Sequence, residues 1–206
     1  MQQRRDIDVT NLGMSVLSYD ANCMEQPSQL AAIQEELDRL SSRATQIRNS
    51  TTDESFNKRP QAGSWSAAEC VTHLSLTTSA YLPLIDQALA MGSSKRMPPS
   101  HRYRRDFNGW LLSWMLEPPA RMKVKTAKPF EPVAPKSRAQ TIDEFSRFQA
   151  ELKKRITNAN GRDLEHISIV SPFNSKMKYN LYSAFAILLT HQRRHLWQAE
   201  QALKKQ

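Results

Sequence analysis

The sequence predicts an all-α fold, a four-helix bundle with a long crossover connection between its second and third helices. Two observations carry that prediction. Four long segments repeat apolar residues at spacings of three and four, the period of a helix buried along one side. Between the second and third of them lies a proline-rich, basic segment over residues 93–138. No internal repeat, convincing strand set or glycine-rich phosphate loop competes with this reading. At 206 residues and 39% hydrophobic, the chain has enough material for one core. A single domain over residues 24–206 is expected.

Residues 1–23 are polar and without apolar periodicity, and Met24 follows them, so this stretch reads as a disordered or extraneous N-terminal tail. After Pro27, the residues Leu30, Ile33, Leu37, Leu40, Ala44 and Ile47 line one side of the first helix, and a polar loop with Pro60 and Gly63 ends it. Ser66 and Glu69 form a capping-box signature for the second helix, which is apolar on one face up to Gly92. Pro83 inside it should kink the helix or mark a turn, because it lacks an N–H and its ring crowds the preceding turn. A short aromatic helix over Asp106–Leu116 stops at Pro118-Pro119, and an extended basic stretch runs on to Ser137. Thr141 and Glu144 read as the capping box of the third long helix, with Gly161 at its C-terminal end. Residues 163–179 read as a mixed connection, and Asn180–Lys205 as the fourth long helix.

The net charge of +9 is concentrated rather than spread. Residues 93–138 hold eleven Lys or Arg against Asp106, Glu117 and Glu131, together with seven of the eleven prolines. The prolines make this an irregular basic face and not a groove-reading helix. No apolar run is long enough to span a membrane, and the first residues lack a signal-peptide core, so a cytoplasmic protein is expected. Cys23 and Cys70 provide neither a disulfide framework nor a CxxC metal knuckle.

His191 and His195 stand four apart on the fourth helix, so both imidazoles project from one side and can reach one cation. A third ligand must come from elsewhere, and His73, inside the apolar second helix, is the best candidate. A histidine on an apolar face is more often a hydrogen-bonded core residue than a ligand, and spacing alone leaves both readings open. Gln198, three residues after His195, is placed to orient a ligand or to lie solvated on the helix flank. Trp65 reads as an anchor for the start of its helix, Cys70 as a small buried core residue, and His101 and His166 as surface residues.

The stretch "WSAAECVTHL" at 65–74 resembles the W-S-x-x-E-x-x-x-H-L signature of the DinB-like four-helix-bundle superfamily. The stretch "LLTHQRRHLWQ" at 188–198 resembles its H-x-x-x-H-x-x-Q ending, and the similarity extends over about Leu30 to Lys204. The resemblance implies one divalent metal ion, nickel or zinc, held by His73, His191 and His195. It also implies a metal-dependent enzyme, either an S-transferase using a low-molecular-weight thiol as co-substrate or a hydrolase activating water, and it allows a homodimer. The alternative is a non-catalytic interaction module of the same fold whose basic 93–138 segment contacts an anionic partner.

Arg102, Arg104 and Arg105 are candidate contacts for the carboxylates of a small-molecule substrate or thiol. "HRYRRDF" with Trp110 and Trp114 mixes basic and aromatic residues as single-strand binders do. Nucleic acid is nevertheless not expected, because the prolines fragment the surface and a Trp pair four apart is simply read as a helix docking on the bundle.

Overall fold

The computed structural model describes residues 28–92, 95–119, 126–132 and 136–206. The expected tail over residues 1–23 and part of the basic connection lie outside them. The described chain forms α1 (Gln29–Asn49), α2 (Asp53–Asn57), α3 (Ala67–Met91), α4 (Phe107–Leu116), a 3₁₀ turn (Lys128–Phe130), α5 (Arg138–Asn158), β1 (Ser168–Ser171), β2 (Asn174–Asn180) and α6 (Leu181–Lys204). The four long helices α1, α3, α5 and α6 are the expected bundle. α1 and α3 each pack against both α5 and α6, which places α1 and α3 on one diagonal. The crossover joins α3 to α5 and carries α4, which lies on α6 and β2.

Local signals position these elements. Ser28 Oγ accepts from Ala31 N–H at the start of α1, and the predicted apolar line from Leu30 to Ile47 is buried along its length. Ser66 and Glu69 form the predicted capping box of α3. Such a cap satisfies two of the N–H groups that a helix start leaves without partners. Asp106 caps α4 and Asn180 caps α6 singly, their side chains accepting from the Gly109 and Ser183 N–H groups.

Four features differ from the sequence expectation. The loop after α1 contains α2, capped by Thr52 and anchored by the fully buried Phe56. Pro83 marks no turn, since α3 runs through it; the ring lies on the exposed face while Leu82 and Ile85 remain buried beside it. α5 begins one turn earlier than expected, because Ser137 and Gln140 form its capping box, whereas Thr141 is buried and donates to the Ser137 carbonyl. Residues 168–180 are an antiparallel hairpin, with Ile169 opposite Tyr179. The first strand has only four residues and the second is largely polar and exposed, so neither shows a sustained alternation. Gly161, after the end of α5, has a φ of +69°, the conformation that suits glycine there.

Among the described residues no helix is long and apolar enough to cross a membrane.

Candidate metal centre

α3 carries His73 and α6 carries His191 and His195, and the packing of these two helices brings the three imidazoles together. Each offers a nitrogen, and the three atoms lie within 4.8 Å of one another. Ring centroids are 5.0 Å apart for His73 and His191, and 4.5 Å for each of the other two pairs. All three residues are buried. No Asp, Glu or Cys among the described residues joins the group.

His73 Nδ1 donates to the Phe130 carbonyl at 2.8 Å, an assignment forced because the carbonyl can only accept. The proton is thereby held on Nδ1, and Nε2 is left as a bare lone pair directed at its neighbours. His73 Nε2 stands 3.1 Å from His191 Nε2. Two imidazole nitrogens bound to one tetrahedral cation, each about 2.1 Å from it, stand about 3.4 Å apart. The buried Nδ1 atoms of His191 and His195 have no hydrogen-bond partner among the described residues. The donor set therefore fits a divalent cation with three protein ligands and at least one open position.

Electrostatics favour the same state. Burial lowers the pKa of His73, opposed by the Phe130 hydrogen bond. Burial lowers those of His191 and His195 well below the ordinary value, assisted by the neighbouring imidazoles and by the Arg194 charge. Neutral imidazole is the form that ligates metal.

The imidazoles face a cavity of about 1070 Å³. Trp65 forms part of its wall, with its ring centroid 5.0 Å from that of His73 and 5.9 Å from that of His195. Phe173, from the turn of the hairpin, lies 5.9 Å from His191 and 4.4 Å from Phe130. Deeper polar groups are Tyr81 and Tyr179, hydrogen-bonded through their hydroxyls and kept neutral chiefly by burial. Arg59 and Arg194 also line the cavity, Arg59 being paired with Glu69.

Gln198 interacts with His195 and raises its pKa, against the larger effect of burial. Arg104 and Arg105 line a separate groove, and Arg102 is exposed; none of the three lines the histidine cavity. Trp65 does more than anchor a helix, since its ring touches the centre. Cys70 is buried, as its sequence neighbourhood suggested. His101 is half-buried, 3.7 Å from Glu165 and against Tyr103, while His166 is exposed and pairs with Asp163. Phe130, Phe173, Tyr81 and Tyr179 were not visible as site residues. A backbone carbonyl has no sequence signature, and aromatic residues in a core line and a hairpin turn look like packing.

No curated protein matches the sequence. Among solved structures, YfiT from Bacillus subtilis, described as a probable metal-dependent hydrolase with an unusual four-helix bundle topology, matches with a TM-score of 0.55 at 13% identity. The match covers 87% of this chain and 90% of that one, and supports the bundle fold. The family model of the DinB superfamily matches residues 32–199, which include all three histidines. With its two histidine-bearing stretches in their expected order and most of its length matched, the chain belongs to the DinB superfamily.

Proposed function

We propose that the protein is an enzyme that holds one divalent cation, nickel or zinc, on His73, His191 and His195 and directs a low-molecular-weight thiol at an electrophilic small molecule. The convergence of three buried, neutral imidazoles on an open cavity carries this reading. When bound, a divalent cation supplies a positive charge that ionises a thiol or a water at neutral pH. The protein's residues supply the rest. Phe130 fixes the His73 tautomer through its carbonyl, and Trp65 and Phe173 shield the histidines from bulk water on their sides of the cavity. Arg194 gives the cavity wall a positive group suited to anionic groups on a thiol or substrate, whereas Arg59 is neutralised by Glu69.

The donor set favours a thiol over water. A thiol with an ordinary pKa near about 8.5 loses its proton to the charge alone, whereas hydrolysis gains from a carboxylate base beside the histidines. Of the two carboxylates that line the cavity among the described residues, Glu69 is engaged by Arg59 and by the Ser66 N–H, and Glu131 is exposed on the connection. Hydrolysis is the second reading, supported by the description of YfiT.

Metal content per chain, measured on protein purified without a histidine tag, tests the site. Near-stoichiometric metal is expected in the wild type and loss of it in His73→Ala, His191→Ala and His195→Ala. The loaded protein should then consume an aryl chloride with a small thiol faster than the His191→Ala variant does. Equal rates, with turnover of nitrophenyl esters by the wild type only, would transfer the assignment to hydrolysis. A wild type that refuses both nickel and zinc would leave the non-catalytic module.

A further inference from the structure

α4 has two faces with opposite characters. Its small residues Gly109 and Ser113 are buried against the bundle, whereas Phe107, Trp110 and Trp114 are 71%, 48% and 49% exposed. The Trp pair that sequence spacing assigned to docking therefore faces outward. Beside the first two of these rings lies a groove of about 510 Å³ that shares no lining residue with the histidine cavity. Tyr103 and Tyr182 stack across its floor at 5.5 Å and 27°. The floor is rigid: Gln29 Oε1 accepts from Tyr103 N–H, and Gln29 Nε2 donates to the Tyr103 carbonyl and to the Tyr182 hydroxyl.

Arg104 and Arg105 line the same groove. Neither guanidinium has an ion-pair partner among the described residues, and the nearby carboxylates are committed elsewhere. Asp106 accepts from the backbone N–H groups of Gly109 and Asn180 and from Ser183 Oγ. Glu165 accepts from the Arg104 backbone N–H and stands close to His101. The groove thus presents two exposed aromatic side chains, Phe107 and Trp110 with ring centroids 6.2 Å apart at 32°, and uncompensated cationic forks beside them.

We propose that this groove binds single-stranded nucleic acid, with bases stacked on Trp110 and Phe107 and backbone phosphates held by Arg104 and Arg105. Stacking needs a ring face open to solvent, and phosphate recognition needs a planar donor fork not already occupied by a carboxylate. Duplex DNA would bury its bases away from the rings. A second copy of the chain would bring like charges together, and a lipid surface would not exploit a concave floor of hydrogen-bonded tyrosines. The site is independent of the metal centre and of its reaction.

Fluorescence anisotropy with a labelled single-stranded oligothymidylate and its oligouridylate counterpart tests the proposal on the full chain. Wild type should bind at low salt, and Trp110→Ala should weaken binding about tenfold or more. The double variant Arg104→Gln/Arg105→Gln should weaken it comparably and flatten its salt dependence. Two phosphate contacts predict about a sevenfold loss between about 50 and 200 mM salt. Arg147→Gln/Lys154→Gln removes the same charge from α5, which packs on α1 and α3, and should leave affinity nearly unchanged. The three sets of substitutions lie at exposed side chains, and circular dichroism checks that each variant remains helical. No binding by wild type, equal loss in the α5 control, tighter binding to anionic lipid vesicles, or dimerisation that is abolished by Trp110→Ala would each overturn it.

Discussion

Cys70 lies one turn before His73 and lines the same cavity, yet burial, with the Glu69 charge beside it, pushes its thiol up to about 12. The thiolate, not the thiol, is the nucleophile and metal ligand, so Cys70 stays a neutral, inert thiol beside the histidines. In a Cys23→Ser background, a disulfide reagent at about pH 8 should leave the folded protein unmodified and titrate one thiol per chain after unfolding. Prompt reaction in the folded state would show that the cavity wall opens far enough to expose this residue. The three clustered histidines were legible as candidates: His191 and His195 through helical spacing, His73 through its cost inside an apolar run. What orients His73 was not, because the Phe130 carbonyl belongs to the proline-containing connection, 57 residues away in sequence.

At the start of α3, the Glu69 carboxylate is held in a contest of effects. Burial raises its pKa, but hydrogen bonds from Arg59 and from the Ser66 N–H, with the Arg59 charge, outweigh burial and hold it below the ordinary value. With a folded pKa below the unfolded one, the unfolded chain takes up the proton first as pH falls. The stabilisation is therefore complete above the unfolded value of about 4.3 and is lost as pH falls through the folded value. Glu69→Gln should flatten the acid limb of the stability curve relative to wild type. Parallel limbs in acid-unfolding measurements would contradict the assignment, and Ser66→Ala should cost about 1 kcal/mol at neutral pH. On α4, a Cβ added at Gly109 would stand 2.1 Å from Ser183 Oγ and 2.2 Å from its Cβ. Gly109→Ala should destabilise by about 1–3 kcal/mol, recovered in part by adding Ser183→Gly, as read by thermal unfolding. If Gly109→Ala alone is neutral, α4 does not sit on α6 as closely as described. A cap of this kind was readable in the sequence for α3, but at the start of α5 Thr141 with Glu144 fits the pattern one turn after the box that forms, Ser137 with Gln140. The choice depended on Thr141 being buried, which local pattern does not reveal.

At the scale of the whole molecule, periodicity identified which face of each long helix is buried but not which helices are neighbours. The diagonal placement of α1 and α3 depends on pairwise packing, and one buried polar contact at the junction has no apolar signature. Gln149 Nε2 on α5 donates to Gln192 Oε1 on α6 at 2.9 Å, and Gln192 Nε2 donates back to Gln149 Oε1 at 2.8 Å. Gln149 Nε2 also approaches the Leu37 carbonyl on α1 at 3.5 Å, so the pair ties three helices at one level of the bundle. Both side chains are buried, and a buried amide deprived of its partner costs about 1–3 kcal/mol. Gln192→Leu should therefore lower the free energy of unfolding by that amount, read as a lower urea midpoint, because it strands the Gln149 amide. Gln149→Leu/Gln192→Leu removes donor and acceptor together and should cost less than the sum of the two single changes, a coupling that the double-mutant cycle measures directly. A double variant as unstable as the sum would mean that each amide is satisfied independently and that the pair does not bind the helices together. A double variant as stable as wild type that takes up less added nickel or zinc than wild type would show that this contact sets how α6 sits against α5, and hence where His191 and His195 stand relative to His73.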